Sequence, residues 1–190
     1  MGNDLNNKIG IITFHNSYNC GSMLQAFALQ QVVDRLTGKD SEIIDFSNEG
    51  QQKLYSVRQP NDSLKNVIKN IILAPWFKRI ARNYESYERF KKNNFRLSNF
   101  PIHKSADLSD ADYDIVVAGS DQIWNITIAD GDDAYFLPWV KNARKVAYAP
   151  SFGAKNIMDY AANPNRYAEY LRDFANLSIR ERNGLEWLQN

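Results

Sequence analysis

Residues Asp114 to Gly119 read DIVVAG, a run too short for a helix and nearly continuous in apolar residues. A strand with one face in water alternates apolar with polar; a strand covered on both faces does not, and such strands sit inside parallel sheets layered between helices. This segment therefore points to an α/β fold. Lys8 to Phe14 (KIGIITF) is a second run of the same kind. A turn-like stretch from His15 to Gly21 follows it. Ser22 to Leu36 then reads as a helix with Ala26, Leu29, Val33 and Leu36 on one face, and Gly38 supplies its stop. Ser41 to Phe46 is another short strand. Strand, helix, strand is the unit that builds a parallel pair through a right-handed crossover.

Lys145 to Ala149, ended by Pro150, and Leu177 to Arg180 supply further strands. A helix around Tyr160 to Phe174 separates them, and Asn183 to Leu188 begins another. The expected fold is a Rossmann-like parallel sheet of about five strands with helices on both faces. The expected strand order is second, first, third, fourth, fifth. One amino-terminal domain covers residues 1–190, with a helical insertion at about 60–97. In that insertion, Leu64, Val67, Ile68, Ile71 and Ile72 recur at helical spacing, Pro75 breaks the helix, and a second helix runs from about Trp76 to Asn94. Phe77, Ile80, Tyr84 and Tyr87 form a stripe on the second helix, expected to pack on the domain. The plainer reading of the pair is a packed excursion with a solvated basic face; the sharper one is a membrane-surface or partner-docking element. Glu85 and Glu88 interrupt the basic face and favour the plainer reading.

Charge excludes several functions. Lys and Arg total 23 against 22 Asp and Glu, so the chain as a whole offers no general field for DNA, RNA or an anionic membrane. One cysteine and two distant histidines make no zinc pattern, and no cofactor or metal is expected. Met1 to Asn7 lack the apolar stretch of a signal peptide, and no apolar run has the length of a membrane span. The expected compartment is the cytoplasm.

In an open parallel sheet, ligands bind beyond the carboxyl ends of the strands. Three loops in this sequence fall there. His15 to Ser22 (HNSYNCGS) places Asn19, Gly21 and Ser22 at a helix start, where free backbone N–H groups can meet an anion or a sugar oxygen. It is neither GxGxxG nor a GKS/GKT phosphate loop, which disfavours dinucleotide and nucleoside-triphosphate chemistry. The bland alternative is a helix cap. Gly119 to Asn125 (GSDQIWN) follows the most apolar strand. There Gly119 permits close backbone approach, Ser120, Asp121 and Gln122 can bind hydroxyls, and Trp124 offers a flat face to a sugar ring. Its bland alternative has Asp121 capping a short helix and Trp124 in the core. Tyr148 to Gly153 (YAPSFG) is the third loop and reads as a turn. Cys20 has only His15 nearby in sequence as an activating partner and reads as a passive residue at a helix start.

Five segments together resemble the polysaccharide pyruvyl transferase family: Ile9 to Thr13, Asn19 to Leu29, Gly119 to Trp124, Tyr148 to Gly153 and Leu177 to Glu181. Their order and spacing are similar to the family's across almost the whole chain. GSDQIWN in company with NCGSMLQA is the most specific part. The resemblance implies two Rossmann-like domains in a glycosyltransferase-B-like arrangement. It implies transfer of a pyruvyl group from phosphoenolpyruvate to hydroxyls of a cell-surface or exopolysaccharide sugar, usually as a cyclic ketal. The acceptor would be a sugar or a lipid-linked glycan, with peripheral membrane contact. On this reading Asp121 is the catalytic residue, and Asn19, Gly21, Ser22, Gly119, Ser120, Gln122 and Trp124 bind substrate. The family's donor-binding arginines and acid histidine are expected in a carboxyl-terminal domain absent from this chain, so the fragment alone is expected to be inactive. Cys20 stands where the family often has a small or aromatic residue, which argues against a catalytic thiol. The competing functions are a nucleotide-sugar glycosyltransferase and a non-catalytic carbohydrate-binding module.

Overall fold

The computed structural model describes residues 8–189 of the chain, so the amino-terminal stretch Met1 to Asn7 lies outside the described residues. β1 (Ile9–Ile12) leads to α1 (Cys20–Thr37) and β2 (Ser41–Ile43). Three helices follow: α2 (Glu49–Tyr55), α3 (Leu64–Leu73) and α4 (Phe77–Asn94). Then come β3 (Ile115–Asp121), β4 (Arg144–Pro150), α5 (Ile157–Tyr160), α6 (Pro164–Arg172), β5 (Asn176–Leu177) and α7 (Arg182–Gln189). The strands form one sheet in the order β2-β1-β3-β4-β5, and each neighbouring pair is parallel. This is the expected α/β, Rossmann-like arrangement, with the most apolar strand, β3, in the centre.

Both faces of the sheet are covered, which is why β1 and β3 need no polar alternation. Ile9, Ile11, Ile43 and Val117 meet Met23, Ala26 and Leu29 of α1, with Phe95 beside them. Ile12, Val116 and Ala118 point the other way, into a cluster built from Ile44, Phe46, Trp124, Tyr135, Phe136 and Phe152. Gly38 ends α1 in the left-handed region at φ 67°, its N–H donating to the Asp34 carbonyl. The expected inner face of α1 is corrected at its end: Leu36 is 76% exposed. At 18 residues α1 is about 27 Å long. The four-residue β1 spans about half of that, so α1 runs past the end of β1.

The strand expected at Ser41 to Phe46 stops at Ile43, but parallel bridges Ile43–Leu97 and Phe46–Ile102 extend that edge with the segment after α4. α2 was not expected, since EGQQKLY has no apolar period. Its start is fixed by Asn48, whose side chain accepts from Gln51 N–H at 2.8 Å. Gly50 lies so close to the loop before β4 that a Cβ there would sit 1.8 Å from the Ala129 carbonyl oxygen. The helix expected around Tyr160 to Phe174 is α6, opened by Pro164 and preceded by the single turn of α5. β5 is shorter than expected and starts one residue earlier.

The helical pair meets the expectation of a packed excursion in part: Tyr87 of α4 packs against the core, while α3 stays outside it. Phe77, Ile80, Tyr84 and Tyr87 are only partly buried. Tyr84 and Tyr87 pack on Tyr18, and Phe77 lies under Arg58. Phe90, beyond the expected stripe, also packs on the core, edge-on to Phe27 and Phe95. α3 buries none of its residues.

Candidate functional site

The loops after β1, β3 and β4 meet at the carboxyl edge of the sheet. Asn19 caps α1: its side-chain oxygen accepts from Ser22 N–H at 2.8 Å, and its amide donates to Ser22 Oγ at 3.0 Å. The amide thereby orients the Ser22 hydroxyl, which donates to Asp121 Oδ2 at 2.6 Å. Asp121 ends β3 in the left-handed region at φ 84°, where its Oδ1 accepts from Gln122 N–H at 2.8 Å. That contact fits the preference of Asp for such backbone through local side-chain hydrogen bonds. The Asp121 carbonyl accepts from Ser151 N–H at 2.8 Å and ties in the third loop.

A closed ring of hydrogen bonds lies just beneath. Ser120 Oγ donates to Gln25 Oε1, the Gln25 amide donates to Thr13 Oγ1 at 2.9 Å, and the Thr13 hydroxyl donates to the Ser120 carbonyl at 3.1 Å. Gly119 has φ 128°, and a Cβ on it would sit 2.1 Å from the Tyr148 carbonyl oxygen. The close backbone approach expected of Gly119 is therefore to β4. Gln122 is exposed and accepts from the Asn125 amide at 3.1 Å. Gly21 is exposed at the helix start, in open surroundings apart from the Asn19 side chain.

Trp124 requires a correction. It is fully buried, stacked on Phe136 with ring centroids 5.3 Å apart and packed on Phe152 and Phe174. Its indole N–H donates to the Tyr135 carbonyl at 3.0 Å. Both its apolar face and its polar tip are used by the core, so it presents no face to a sugar. Cys20 is exposed, with the Tyr87 hydroxyl 3.5 Å from its sulfur; His15 is engaged elsewhere.

Two carboxylates give the cluster its electrostatic character. Among the described residues no Lys or Arg forms an ion pair with Asp121, so a hydroxyl and an N–H hold it without neutralising it. Asp130 is buried nearby, and burial, joined by the charge of Asp121, holds its carboxyl above the usual carboxylate range. Burial, then the charges of Asp132, Asp130 and Asp121, pushes the Tyr135 phenol well up. Its hydroxyl is buried without a hydrogen-bond partner among the described residues. The run IADGDD carries these acids, but nothing in its spacing says that it folds back beside Asp121.

A second polar cluster, also missed in the sequence, occupies the β1–β2 side. The buried His15 ring has Nε2 2.9 Å from Asp45 Oδ1 and Nδ1 3.2 Å from the Thr13 carbonyl. Burial alone would raise the Asp45 carboxyl; the hydrogen bond and charge of His15, the Asn16 amide and Lys91 outweigh it and hold the group below its ordinary range. Above this pair opens a cavity of about 450 Å³ walled by Asn16, Tyr18, Gln51, Tyr55, Tyr84, Lys91 and His103. Gln51 is buried there, its amide donating to Ser17 Oγ at 3.0 Å and its Oε1 lacking a partner among the described residues. The volume lies within the range of small-molecule sites. The cavity is lined by α2 and α4, not by Asp121, so the sheet edge holds an open carboxylate cluster and a walled polar cavity side by side along β1.

A family model of polysaccharide pyruvyl transferases matches residues 19–190. The chain belongs to that family. The match begins at the Asn19 cap and includes Ser22, Gly119 to Trp124 and the loop after β4, so the whole carboxylate cluster except Thr13 lies within it. No curated protein and no solved structure matches the chain. Among the described residues no helix is long and apolar enough to cross a membrane.

Proposed function

We propose that this chain forms the acceptor half of an enzyme that transfers a pyruvyl group from phosphoenolpyruvate to hydroxyls of a sugar in a cell-surface or exopolysaccharide glycan. Family membership supports the reaction class. The observation that carries the site is the contact of Ser22 Oγ with Asp121 Oδ2, which joins two family-matched loops at the carboxyl edge of β1 and β3. In the proposed reaction the methylene carbon of phosphoenolpyruvate takes a proton, leaving a cationic centre at the carbon that bears the phosphate. A sugar hydroxyl adds there and its proton passes to Asp121 as the C–O bond forms. Phosphate leaves, a second hydroxyl of the same sugar adds to that carbon and gives up its proton to the phosphate, and a cyclic ketal results.

Ser22 and the Gln122 N–H hold the Asp121 carboxylate in place, Asn19 sets the Ser22 hydroxyl, and Gly21, Gly119, Ser120 and Gln122 shape the loop surface on which the sugar lies. The proposal places the cationic groups for the donor in a second domain, and the site in the cytoplasm, where phosphoenolpyruvate is made. The test is release of inorganic phosphate from phosphoenolpyruvate by the complete enzyme, measured with and without a glycan bearing a free diol. Acceptor-dependent release is expected, and none from the 190-residue chain alone. Turnover of a nucleotide sugar without use of phosphoenolpyruvate would replace this reading with a glycosyltransferase.

A further inference from the structure

The amphipathic helix α3 is turned inside out. Leu64, Ile68, Ile71 and Ile72 follow the i, i+4, i+7, i+8 spacing of one stripe, and all four are exposed, between 49% and 76%. Trp76, just past the break at Pro75, is 51% exposed. The face turned toward the protein is mixed, with Asn66, Val67, Asn70 and Leu73 partly buried; the Asn70 amide donates to the Gln59 carbonyl at 2.8 Å, and its side-chain oxygen accepts from Gln59 N–H at 3.0 Å. Gln59 in turn donates to the Lys53 carbonyl at 3.0 Å, so these bonds tie α3 to the end of α2 with the stripe outward. Lys65 and Lys69 flank it, exposed, and Lys78, Arg79 and Arg82 follow on the first turns of α4. From Ser63 to Tyr84 there are five Lys and Arg and no Asp or Glu, in a chain whose totals are 23 against 22.

We propose that the outer face of α3, with Trp76 and the first turns of α4, docks on the surface of an anionic phospholipid bilayer. Branched aliphatic side chains and a tryptophan on one face, bordered by lysines and arginines, are the pattern of a helix lying in the headgroup plane. Charge selects this occupant. A second copy of the chain would bring five cations against five on a self-complementary interface. A nucleic acid would find one stacking ring, Trp76, beside four exposed aliphatic side chains that offer it nothing to bind. An anionic bilayer satisfies both halves of the surface at once. The binding does not depend on the reaction proposed above, although it would bring the chain to a lipid-linked acceptor.

The test is sedimentation of the chain with vesicles of equal parts phosphatidylglycerol and phosphatidylcholine, against vesicles of phosphatidylcholine alone. Binding to the first is expected to be at least tenfold tighter and to weaken as salt is raised. The pair Ile68→Ser and Ile72→Ser, both on exposed positions, is expected to weaken it about tenfold or more with an unchanged melting curve. The pair Lys65→Gln and Lys69→Gln should cost a similar factor. Tryptophan emission of the unsubstituted chain should move to the blue on the anionic vesicles, and Trp76→Phe should remove the shift; this readout needs no destabilising variant. No sedimentation with the anionic vesicles, binding that ignores the aliphatic pair, or a dimer in solution that Ile68→Ser with Ile72→Ser dissociates would each overturn the proposal.

Discussion

Replacing Asp121 in two ways separates its chemistry from its role in the fold. Its Oδ1 accepts from Gln122 N–H and its Oδ2 from Ser22 Oγ–H, and its backbone sits at φ 84°. Asn keeps the shape, keeps one acceptor for Gln122, and can donate to a rotated Ser22 hydroxyl. Asn is also at home in the left-handed region, so Asp121→Asn should change stability by less than about 1 kcal/mol. Ala loses both side-chain contacts and meets the left-handed backbone with a Cβ. The backbone costs about 1–2 kcal/mol and the two lost hydrogen bonds about 1 kcal/mol each, so Asp121→Ala should lose about 3–4 kcal/mol. Urea denaturation followed by tryptophan emission measures both. Activity should order the variants differently. If Asp121 takes the proton from the attacking hydroxyl, Asp121→Asn should lose roughly 10²-fold or more in kcat while remaining folded, close to the loss in Asp121→Ala. Phosphate release from phosphoenolpyruvate, in the assay proposed above, reads this. Near-normal turnover by Asp121→Asn would remove Asp121 from the mechanism, and a large loss of stability in that variant would make it a structural cap.

Trp124→Phe should destabilise the chain by about 2–4 kcal/mol, since it shrinks a packed ring and leaves the Tyr135 carbonyl without its donor; a raised KM for acceptor at unchanged stability would restore the sugar-stacking role. Gly119→Ala should cost about 3 kcal/mol or more, combining positive φ with a Cβ 2.1 Å from the Tyr148 carbonyl oxygen, and a soluble, folded Gly119→Ala variant with a normal melting temperature would refute that. The raised Asp130 carboxyl means that the folded chain holds this proton more tightly than the unfolded one. Its contribution to stability therefore falls as pH rises from the unfolded value, about 3.9, to the folded value, and stays flat above. Asp130→Asn should remove that fall and melt at a higher temperature at neutral pH; a lower melting temperature would show that the carboxylate has a stabilising partner.

The sequence disclosed the sheet because β1 and β3 are apolar on both faces, a pattern that few folds accommodate. The strand order then followed from one short crossover and one long insertion. The Asn19–Ser22–Asp121 cluster was legible for a related reason: polar loops directly after apolar strands must lie at one edge. Trp124 was misread because its partner, the Tyr135 carbonyl, lies in an irregular segment that no periodicity describes. His15 and Asp45 were missed because a lone histidine and a lone aspartate 30 residues apart make no motif until β1 and β2 are placed side by side. α3 shows the limit most plainly. Its spacing correctly gave a helix with an apolar stripe, but periodicity states only that a stripe exists. Which side of it faces the solvent is visible only in the folded chain, where Leu64, Ile68, Ile71 and Ile72 are exposed and Asn70 is held to Gln59.

That orientation has a measurable consequence for dynamics. A helix of ten residues is marginal by itself in water, and helices in proteins usually draw stability from a buried apolar face. α3 buries no residue fully, and its tie to the rest of the chain is through the partly buried Val67 and Leu73, the polar contacts around Asn70 and Gln59, and its continuation into α4. Its backbone should therefore open far more readily than that of α1, whose Met23, Ala26 and Leu29 are buried under the sheet. Amide hydrogen exchange on the free chain should show Leu64 to Leu73 with little protection, while the middle of α1 exchanges only on global unfolding. On vesicles containing phosphatidylglycerol, docking of the stripe would add the missing burial, and protection of the same amides should rise by about tenfold or more while α1 is unchanged. Protection of α3 equal to that of α1 in the free chain would refute the reasoning, because it would show that those contacts alone hold the helix. Weak protection that vesicles leave unaltered would separate the two claims, leaving a loosely held helix with no bilayer to cover it.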